Sequence, residues 1–577
     1  MAFLPISQAD LTQRGWRDLD VVLVTGDAYI DHPAFGTAVI GRILEHHGYR
    51  LGIIAMPDWR DPDSVKIFGK PRLFFGVTSG NIDSMLARYT AFKRYRSDDP
   101  YVPGGQAGRK PERAVLAYCN LIKAAYKDAP IVLGGIEASM RRIAHYDFWS
   151  NRVRRSIIED SRADIIVYGM GERAIVTIAE RLARGQALDG IPGTVTLSRT
   201  PQKDAVTLPA EEDVLTSPEA FLECYRLFYR HQQQRFAQPI GKRFLLHEPS
   251  TVISSTELDA IYALPYERQP HPSYRDPIPA FEMIRNSVTA HRGCVSGCSF
   301  CSLGLHQGKA IVSRSPESVL QEAQTIAAAP DFKGHITDIG GPSANMYGMD
   351  CARDWNCHRE SCLFPSLCPN LQLNAAAWLG LLRRVSRVRG VSKATIGSGI
   401  RYDLLMRDAN AEELLKELVC NHISGQLKIA PEHTDPTTLR AMRKTGLFQL
   451  DEFVKLFRAL TARQGKAQYP LPYVMSCHPG TSEHAIAALR GEIFSIFGFV
   501  PEQIQAFIPL PMTLSSVIYY TGIDPLTGEH FEVTRDMSER RKQHDLLLKR
   551  TNHGQKAGQE HAFHQKKRTQ SERKKSR

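Results

Sequence analysis

The sequence predicts an α/β protein in which an N-terminal open sheet is followed by six β/α steps closing into part of a barrel, with a disordered basic tail. Three observations carry this. Apolar runs alternate with stretches of helical period over residues 1–200, the alternation resumes from Ser287, and basic residues without apolar neighbours gather at the C-terminus. A chain of 577 residues with 42% hydrophobic content exceeds one ordinary core, so two or three domains are expected.

In the first domain (1–200), DVVLVTG (20–26), RLGIIAM (50–56), RLFFGVTSG (72–80), APIVLGG (129–135) and ADIIVYG (163–169) read as strands covered on both faces, as a parallel sheet requires. Between the first two, FGTAVIGRILEHHGY has helical spacing, with His46, His47 and Gly48 closing the helix rather than binding metal. Gly134-Gly135 and Gly169-Met170-Gly171-Glu172 stand where open α/β sheets bind ligands. Neither GxGxxG nor GxxxxGK[ST] occurs, so tight turns account for these glycines as well as a nucleotide or corrinoid would.

Residues 201–285 carry few periodic runs and are expected to form a linker packed against its neighbours. Within 286–525, strands in SVTAHRG, HITDIGG, KATIGSG, QLKIAPEH, YPLPYVMSCH and QIQAFIPL alternate with helices over 316–328, 374–388, LLKELV, 437–464 and 482–498. A cysteine-rich insertion (345–372) interrupts them. Repeated βα units of this kind place chemistry at the C-terminal ends of the strands.

The net charge of +12 points to nucleic acid, but its position weakens that reading. From Met537 onward thirteen Lys/Arg face four Asp/Glu, a surplus of nine that leaves only three for the rest. The extension 526–577 is expected to be basic and largely disordered; it could grip RNA through phosphate contacts, although such tails are more often solvated ends. No apolar run approaches the roughly 20 residues that cross a bilayer, and MAFLPISQADLTQRGW lacks a basic segment followed by a hydrophobic one. A cytoplasmic protein without a membrane partner is expected. Thiols there stay reduced, so the eleven cysteines read as ligands or core residues, Cys119 and Cys420 as buried thiols in apolar helices.

The segment HRGCVSGCSFCSLG places Cys294, Cys298 and Cys301 at C-x3-C-x2-C spacing directly after the first strand of the second alternation. Three thiolates on one short loop can bind three irons of a cubane, and with no fourth cysteine nearby one iron stays open, as a catalytic metal requires. Zinc loops pair ligands as C-x2-4-C and draw two more from a distance, so zinc or chance fits this triplet less well. A second set, Cys351, Cys357, Cys362 and Cys368, lies in the insertion. A metal would order so long a loop, with zinc, an auxiliary iron–sulfur cluster and free surface thiols all open.

C-x3-C-x-aromatic-C at the start of a β/α array resembles the radical S-adenosylmethionine (SAM) signature. The chain is similar to YgiQ-type radical SAM proteins through VLGGIEASMRRIAHYDFWS, the triplet loop, DIGGPSANMYGMDC, KIAPEHTD and QAFIPLPMTLSSVIYYTG, over about residues 10 to 540. That resemblance implies a Rossmann-like N-terminal domain, a partial β/α barrel, and a [4Fe-4S] cluster on the triplet. SAM would chelate the open iron and be cleaved to a 5'-deoxyadenosyl radical, with electrons from a flavodoxin- or ferredoxin-type donor. It implies no substrate. Gly340 and Gly341 match the family's glycine pair toward the SAM amine, with Pro342 where many members carry an acid; Ser398, Arg401 and Glu432 end later strands and could hold the carboxylate and ribose, or form rim ion pairs. Tyr519 to Gly522 resemble the barrel-closing strand of methylthiotransferase-like enzymes. Two other readings stay open. One is a cobalamin-dependent or methylthiotransferase-like modification enzyme, although Asp31-His32-Pro33-Ala34-Phe35-Gly36 lacks the histidine of the Asp-x-His-x-x-Gly pattern. The other is a non-catalytic iron–sulfur electron-transfer or RNA-associated protein.

Overall fold

The computed structural model describes residues 3–355 and 357–548. The first sheet has nine strands: β1 (Val21–Thr25), β2 (Leu51–Ala55), β3 (Phe74–Thr78), β4 (Ile131–Leu133), β5 (Ile165–Val167), β6 (Thr194–Ser198), β7 (Val206–Thr207), β8 (Phe236–Ile240) and β9 (Arg243–His247). Their order is β7-β8-β9-β6-β5-β4-β3-β1-β2. The five expected strands are β1 to β5, all paired in parallel. Successive side chains point to opposite faces, and both faces are covered. Val22 and Val24 of β1 join one core with Tyr118 and Ile122 of helix Ala114–Ala125; Val21 and Leu23 join another with Leu44 and Ile178 of helices Gly36–His46 and Glu172–Ala183.

The segment 201–285 is more regular than the sequence predicts. β8 and β9 form a hairpin that pairs antiparallel with β6, itself antiparallel to β5, so the open parallel sheet gains a mixed flank. Pro239 inside β8 hides this strand, because proline cannot donate to a ladder and demotes a run that contains it.

In the second region β10 (Ser287–Thr289), β11 (His335–Ile336), β12 (Asp338–Gly340), β13 (Lys393–Ala394), β14 (Gln426–Glu432), β15 (Tyr469–Ser476) and β16 (Gln505–Ala506) supply the six steps, β11 and β12 being halves of one. Neighbours in sequence are neighbours in space: β10 pairs with β12, β11 with β13, β14 with β15 and β15 with β16, all parallel, and a parallel bridge joins Ile400 to Ile429. Helices pack outside around a core that includes Trp378, Leu382, Phe453 and Ile486. Local signals set their ends: Asn374 caps Ala375–Ser386 through Ala377 N, and Ser482 caps Glu483–Phe497, which Gly498 terminates at φ +71°.

Two further expectations change. Tyr519 belongs to a helix, Leu514–Thr521, capped by Thr513 and ended by Gly522, rather than to a closing strand. Met537–Leu548 is also helical, so order extends into the C-terminal extension; the disorder expected after Leu548 falls outside the described residues. Cys119 is buried as expected, whereas Cys420 is only partly buried, in a π-helical turn. Among the described residues no helix is long and apolar enough to cross a membrane.

Candidate functional site

The loop Cys294–Cys301 leaves β10 through a two-residue strand, His291–Arg292, and is held from several sides. Cys294 N donates to Gly308 O at 3.1 Å, and Cys362 N donates to Val295 O at 3.0 Å. Ser361 Oγ donates to Ser296 O at 2.5 Å, and Arg401 Nη1 to Ser296 Oγ at 2.7 Å. Ser299 Oγ donates to Ala441 O at 2.6 Å and accepts from Ser515 Oγ at 2.8 Å, while Ser515 also meets His478 Nε2 at 2.7 Å. At Gly293, φ is +89° and a Cβ would lie 1.8 Å from Ala310 O; at Gly297, φ is +60° and a Cβ would lie 2.5 Å from Glu360 O. Only glycine allows both turns and both close approaches.

All three cysteines of the loop are free and partly buried. Burial pushes the Cys301 thiol up to about 12, with Cys294 and Cys298 adding to the effect. Burial also raises Cys298, against the opposing cations Lys444 and Arg401. Burial thus favours the protonated form of Cys298 and Cys301.

Of the expected SAM-binding residues, Gly340 and Gly341 line a cavity, whereas Ser398, Arg401 and Glu432 make polar contacts outside the cavities. The cysteines open on a cavity of about 540 Å³, with Arg142, Tyr168 and Lys309 on its walls. Gly340 and Gly341 line a second cavity of about 710 Å³, which lies against Gly80, Gly134 and Gly169 at the C-terminal ends of the first sheet. The short helix Leu303–Gln307, directly after Cys301, stands between them: Ser302 and Leu303 face one side, Gly304 and Leu305 the other, and His306 and Gln307 both. Gly341 makes room for the His291 ring, 2.5 Å from where its Cβ would be. His291 is fully buried, both ring nitrogens lack partners among the described residues, and burial lowers its pKa to about 4.

Ser398, Arg401 and Glu432 line neither cavity. Ser398 Oγ donates to Asp338 Oδ1 at 3.1 Å, and that carboxylate also accepts from Gly397 N at 2.7 Å. Arg401 gives its fork to Asp403, Nε to Oδ1 at 2.8 Å and Nη2 to Oδ2 at 2.5 Å. Glu432 is left-handed, with φ +66°, and lies 3.8 Å from Lys444. Sequence reasoning missed Ser296, Ser299, Ser515 and Lys444, whose partners are remote along the chain. KIAPEHTD ends near Lys444, but nothing local marks the lysine.

In the insertion, Cys351, Cys362 and Cys368 are buried, and Cys368 N donates to Cys362 O at 2.7 Å. Cys357 Sγ accepts from Lys309 Nζ at 2.9 Å. Burial raises this thiol, but the Lys309 hydrogen bond and charge, with help from Arg359, turn the net shift downward. The insertion also braces the triplet loop, through Ser361 and Cys362. Among the described residues no three His, Cys, Asp or Glu side chains are placed to hold one metal ion, so neither cysteine set is a preformed mononuclear site. A cubane attaches each thiolate to a separate iron and does not require convergence on one ion.

The chain was compared with known proteins. Residues 3–287 match the radical SAM N-terminal family model, and residues 502–574 match a domain of unknown function, DUF3362. A UPF0313 protein of Geobacter sulfurreducens is 46% identical over 562 residues, covering 95% of this chain and 92% of that one. A UPF0313 protein of Methanocella arvoryzae is 45% identical over 556 residues, covering 94% and 92%. Among solved structures, the radical SAM methyltransferase TsrM of Kitasatospora setae, with cobalamin and a [4Fe-4S] cluster bound, has a TM-score of 0.50 at 17% identity, covering 86% of this chain and 74% of that one. At that identity the likeness concerns the fold alone. Identity near one half along almost the whole length is decisive in a way that fold likeness is not, and the chain belongs to the UPF0313 family of radical SAM proteins.

Proposed function

We propose that this protein is a radical SAM enzyme whose loop Cys294, Cys298 and Cys301 holds a [4Fe-4S] cluster and which abstracts a hydrogen atom from its substrate. The observation that carries this reading is the loop itself: three thiols within eight residues, with two glycines its turns require and hydrogen bonds to five other segments. The donor set fits three irons of a cubane and leaves the fourth for SAM. When bound, the cluster supplies the electron that cleaves SAM to methionine and a 5'-deoxyadenosyl radical.

The chain's own residues orient and protect. Ser296 and Ser299 fix the loop against Arg401 and Ser515, so that its thiols face the cavity. Lys444 and Arg401 offset negative charge that deprotonated thiols bring to a buried place. Helix Leu303–Gln307 would have to shift, or admit SAM past it, for the Gly340–Gly341 wall to share one ligand with the cysteines. We place the reaction in the cytoplasm, with a flavodoxin- or ferredoxin-type electron donor.

The test is oxygen-free reconstitution, addition of dithionite and SAM, and measurement of 5'-deoxyadenosine for wild type and Cys298→Ala. Product in wild type alone is expected; equal product in both would remove the assigned site.

The cavity of about 710 Å³ at the C-terminal ends of β3, β4 and β5 favours a second reading, a corrinoid-assisted transfer. Asp31 and His32 could not serve as its ligands, because Asp31 pairs with Arg42 and buried His32 is bonded to Arg268 and Ala34 N. A corrinoid absorption spectrum in anaerobically purified protein would establish this reading, and a cobalt-free preparation that still turns over would dismiss it.

A further inference from the structure

We propose that Arg142 binds an oxyanion, a carboxylate or phosphate, on the enzyme's second substrate in the cavity where the cysteine triplet opens. The word substrate rests on the reading above; the anion site rests on the following observations. Eight arginines are at least nine-tenths buried among the described residues. Six of them, Arg42, Arg141, Arg292, Arg314, Arg401 and Arg443, lie in ion pairs with carboxylates. Arg540 has none, but it serves the carbonyls of Cys477 and Phe507 and lines neither cavity. Arg142 is the remaining one, and it does line a cavity.

Arg142 is 3% exposed. Its Nε donates to His247 Nε2 at 3.0 Å, and its Nη1 to Ser139 O at 2.5 Å, with Met512 Sδ at 3.7 Å. Its guanidinium lies 4.4 Å from the Tyr168 ring centroid and 5.2 Å from that of Phe228. No carboxylate approaches within ion-pair distance among the described residues, and Nη2 meets no protein acceptor there. The nearby Glu248 is committed elsewhere, to Arg235 at 2.7 Å and Gln202 at 2.7 Å. A charge held away from water and unpaired is costly, and aromatic faces and neutral acceptors offset it only in part.

His247 holds the guanidinium in place. Because His247 Nε2 accepts from Arg142, its proton sits on Nδ1. That nitrogen is buried and has no partner among the described residues. His247 also lines the cavity, and its bond to Nε fixes the guanidinium there while Nη2 keeps no protein acceptor among the described residues. A planar or tetrahedral oxyanion answers the guanidinium, and charge-assisted bonds are the strong ones. The wall belongs to the N-terminal domain, while the residues expected to hold SAM stand on the strands of the second region. We assign the oxyanion to a ligand other than SAM, an assignment that the SAM arm of the experiment tests.

The experiment uses the full-length reconstituted protein with inorganic phosphate as probe, against chloride at matched ionic strength, and reads the thermal midpoint with and without SAM. Wild type should be stabilised by phosphate, Arg142→Lys less so, and Arg142→Met should lose phosphate affinity on the order of tenfold or more while keeping its SAM affinity. Arg142→Met removes an unpaired charge but also the donors to Ser139 O and His247 Nε2, so each variant's phosphate effect is read against its own phosphate-free midpoint. An equal phosphate effect in wild type and Arg142→Met would overturn the proposal. So would loss of SAM binding with phosphate binding intact, which would assign the arginine to SAM. Absence of 5'-deoxyadenosine from wild type would refute the radical reading but leave the phosphate comparison informative about Arg142.

Discussion

Replacing Ser299 by alanine removes one oxygen from the floor of the cysteine loop. Ser299 is 3% exposed, its hydroxyl donates to Ala441 O at 2.6 Å, and it accepts from Ser515 Oγ at 2.8 Å. The substitution leaves the Ala441 carbonyl without this donor and leaves the Ser515 hydroxyl with His478 Nε2, at 2.7 Å, as its remaining partner. A buried polar group left unpaired costs about 1 to 3 kcal/mol. Taking about 2 kcal/mol, local opening of the loop rises on the order of thirtyfold, since about 1.4 kcal/mol is a factor of ten. The backbone bonds of Ser299 N to Met442 O and of Ser515 N to Ser299 O remain, so the fold itself should hold. Amide hydrogen exchange read by mass spectrometry should show the increase in peptides covering 293–301 and the helix Leu514–Thr521, with distant peptides of the first sheet unchanged. Iron should also be lost faster in air. Exchange in the loop equal to wild type would refute the claim that this hydroxyl pair anchors it, and a uniform increase across the chain would mean a global fold defect instead.

Two further outcomes follow from the same geometry. Gly293→Ala should abolish iron retention while leaving far-ultraviolet circular dichroism near wild type, because its Cβ cannot coexist with Ala310 O at 1.8 Å and φ +89° disfavours any side chain. Glu211 provides a pH test: it is 1% exposed, and burial raises its carboxyl to about 7 against the hydrogen bond from Ser156 N. A carboxyl raised in the folded state favours folding while protonated, so its contribution is greatest below the unfolded value and is lost as pH climbs through about 7. Glu211→Gln should therefore flatten the fall in stability from about pH 4.5 to 7, an effect of about 3 kcal/mol, and a pH profile identical to wild type would count against it.

The legible part of the site was the part encoded locally. Cys294, Cys298 and Cys301 fall within eight residues, so the proposal that they share a cluster could be made from their spacing alone. Their supports do not: Ser299 meets Ala441 across 142 residues and Ser515 across 216. The roles expected of Ser398 and Arg401 rested on their places after strands, and only the folded chain reveals that Asp338 and Asp403 engage them. Arg142 was readable as a residue of a family-like segment. Its lack of a carboxylate partner is a fact about three-dimensional neighbours.

The sequence by itself determined the short-range features: five apolar parallel strands, the β/α alternation after Ser287, helix ends at Asn374, Ser482 and Gly498, and the cysteine loop with its two glycines. Those follow from periodicity, capping and backbone sterics, which act over a few residues. Only the tertiary structure decided that β8 and β9 extend the first sheet, that LSSVIYYT is a helix despite its β-branched and aromatic residues, and that Leu303–Gln307 divides two cavities. Strand pairing and burial depend on which surfaces meet, and those contacts join residues too far apart in the chain for local preference to choose them.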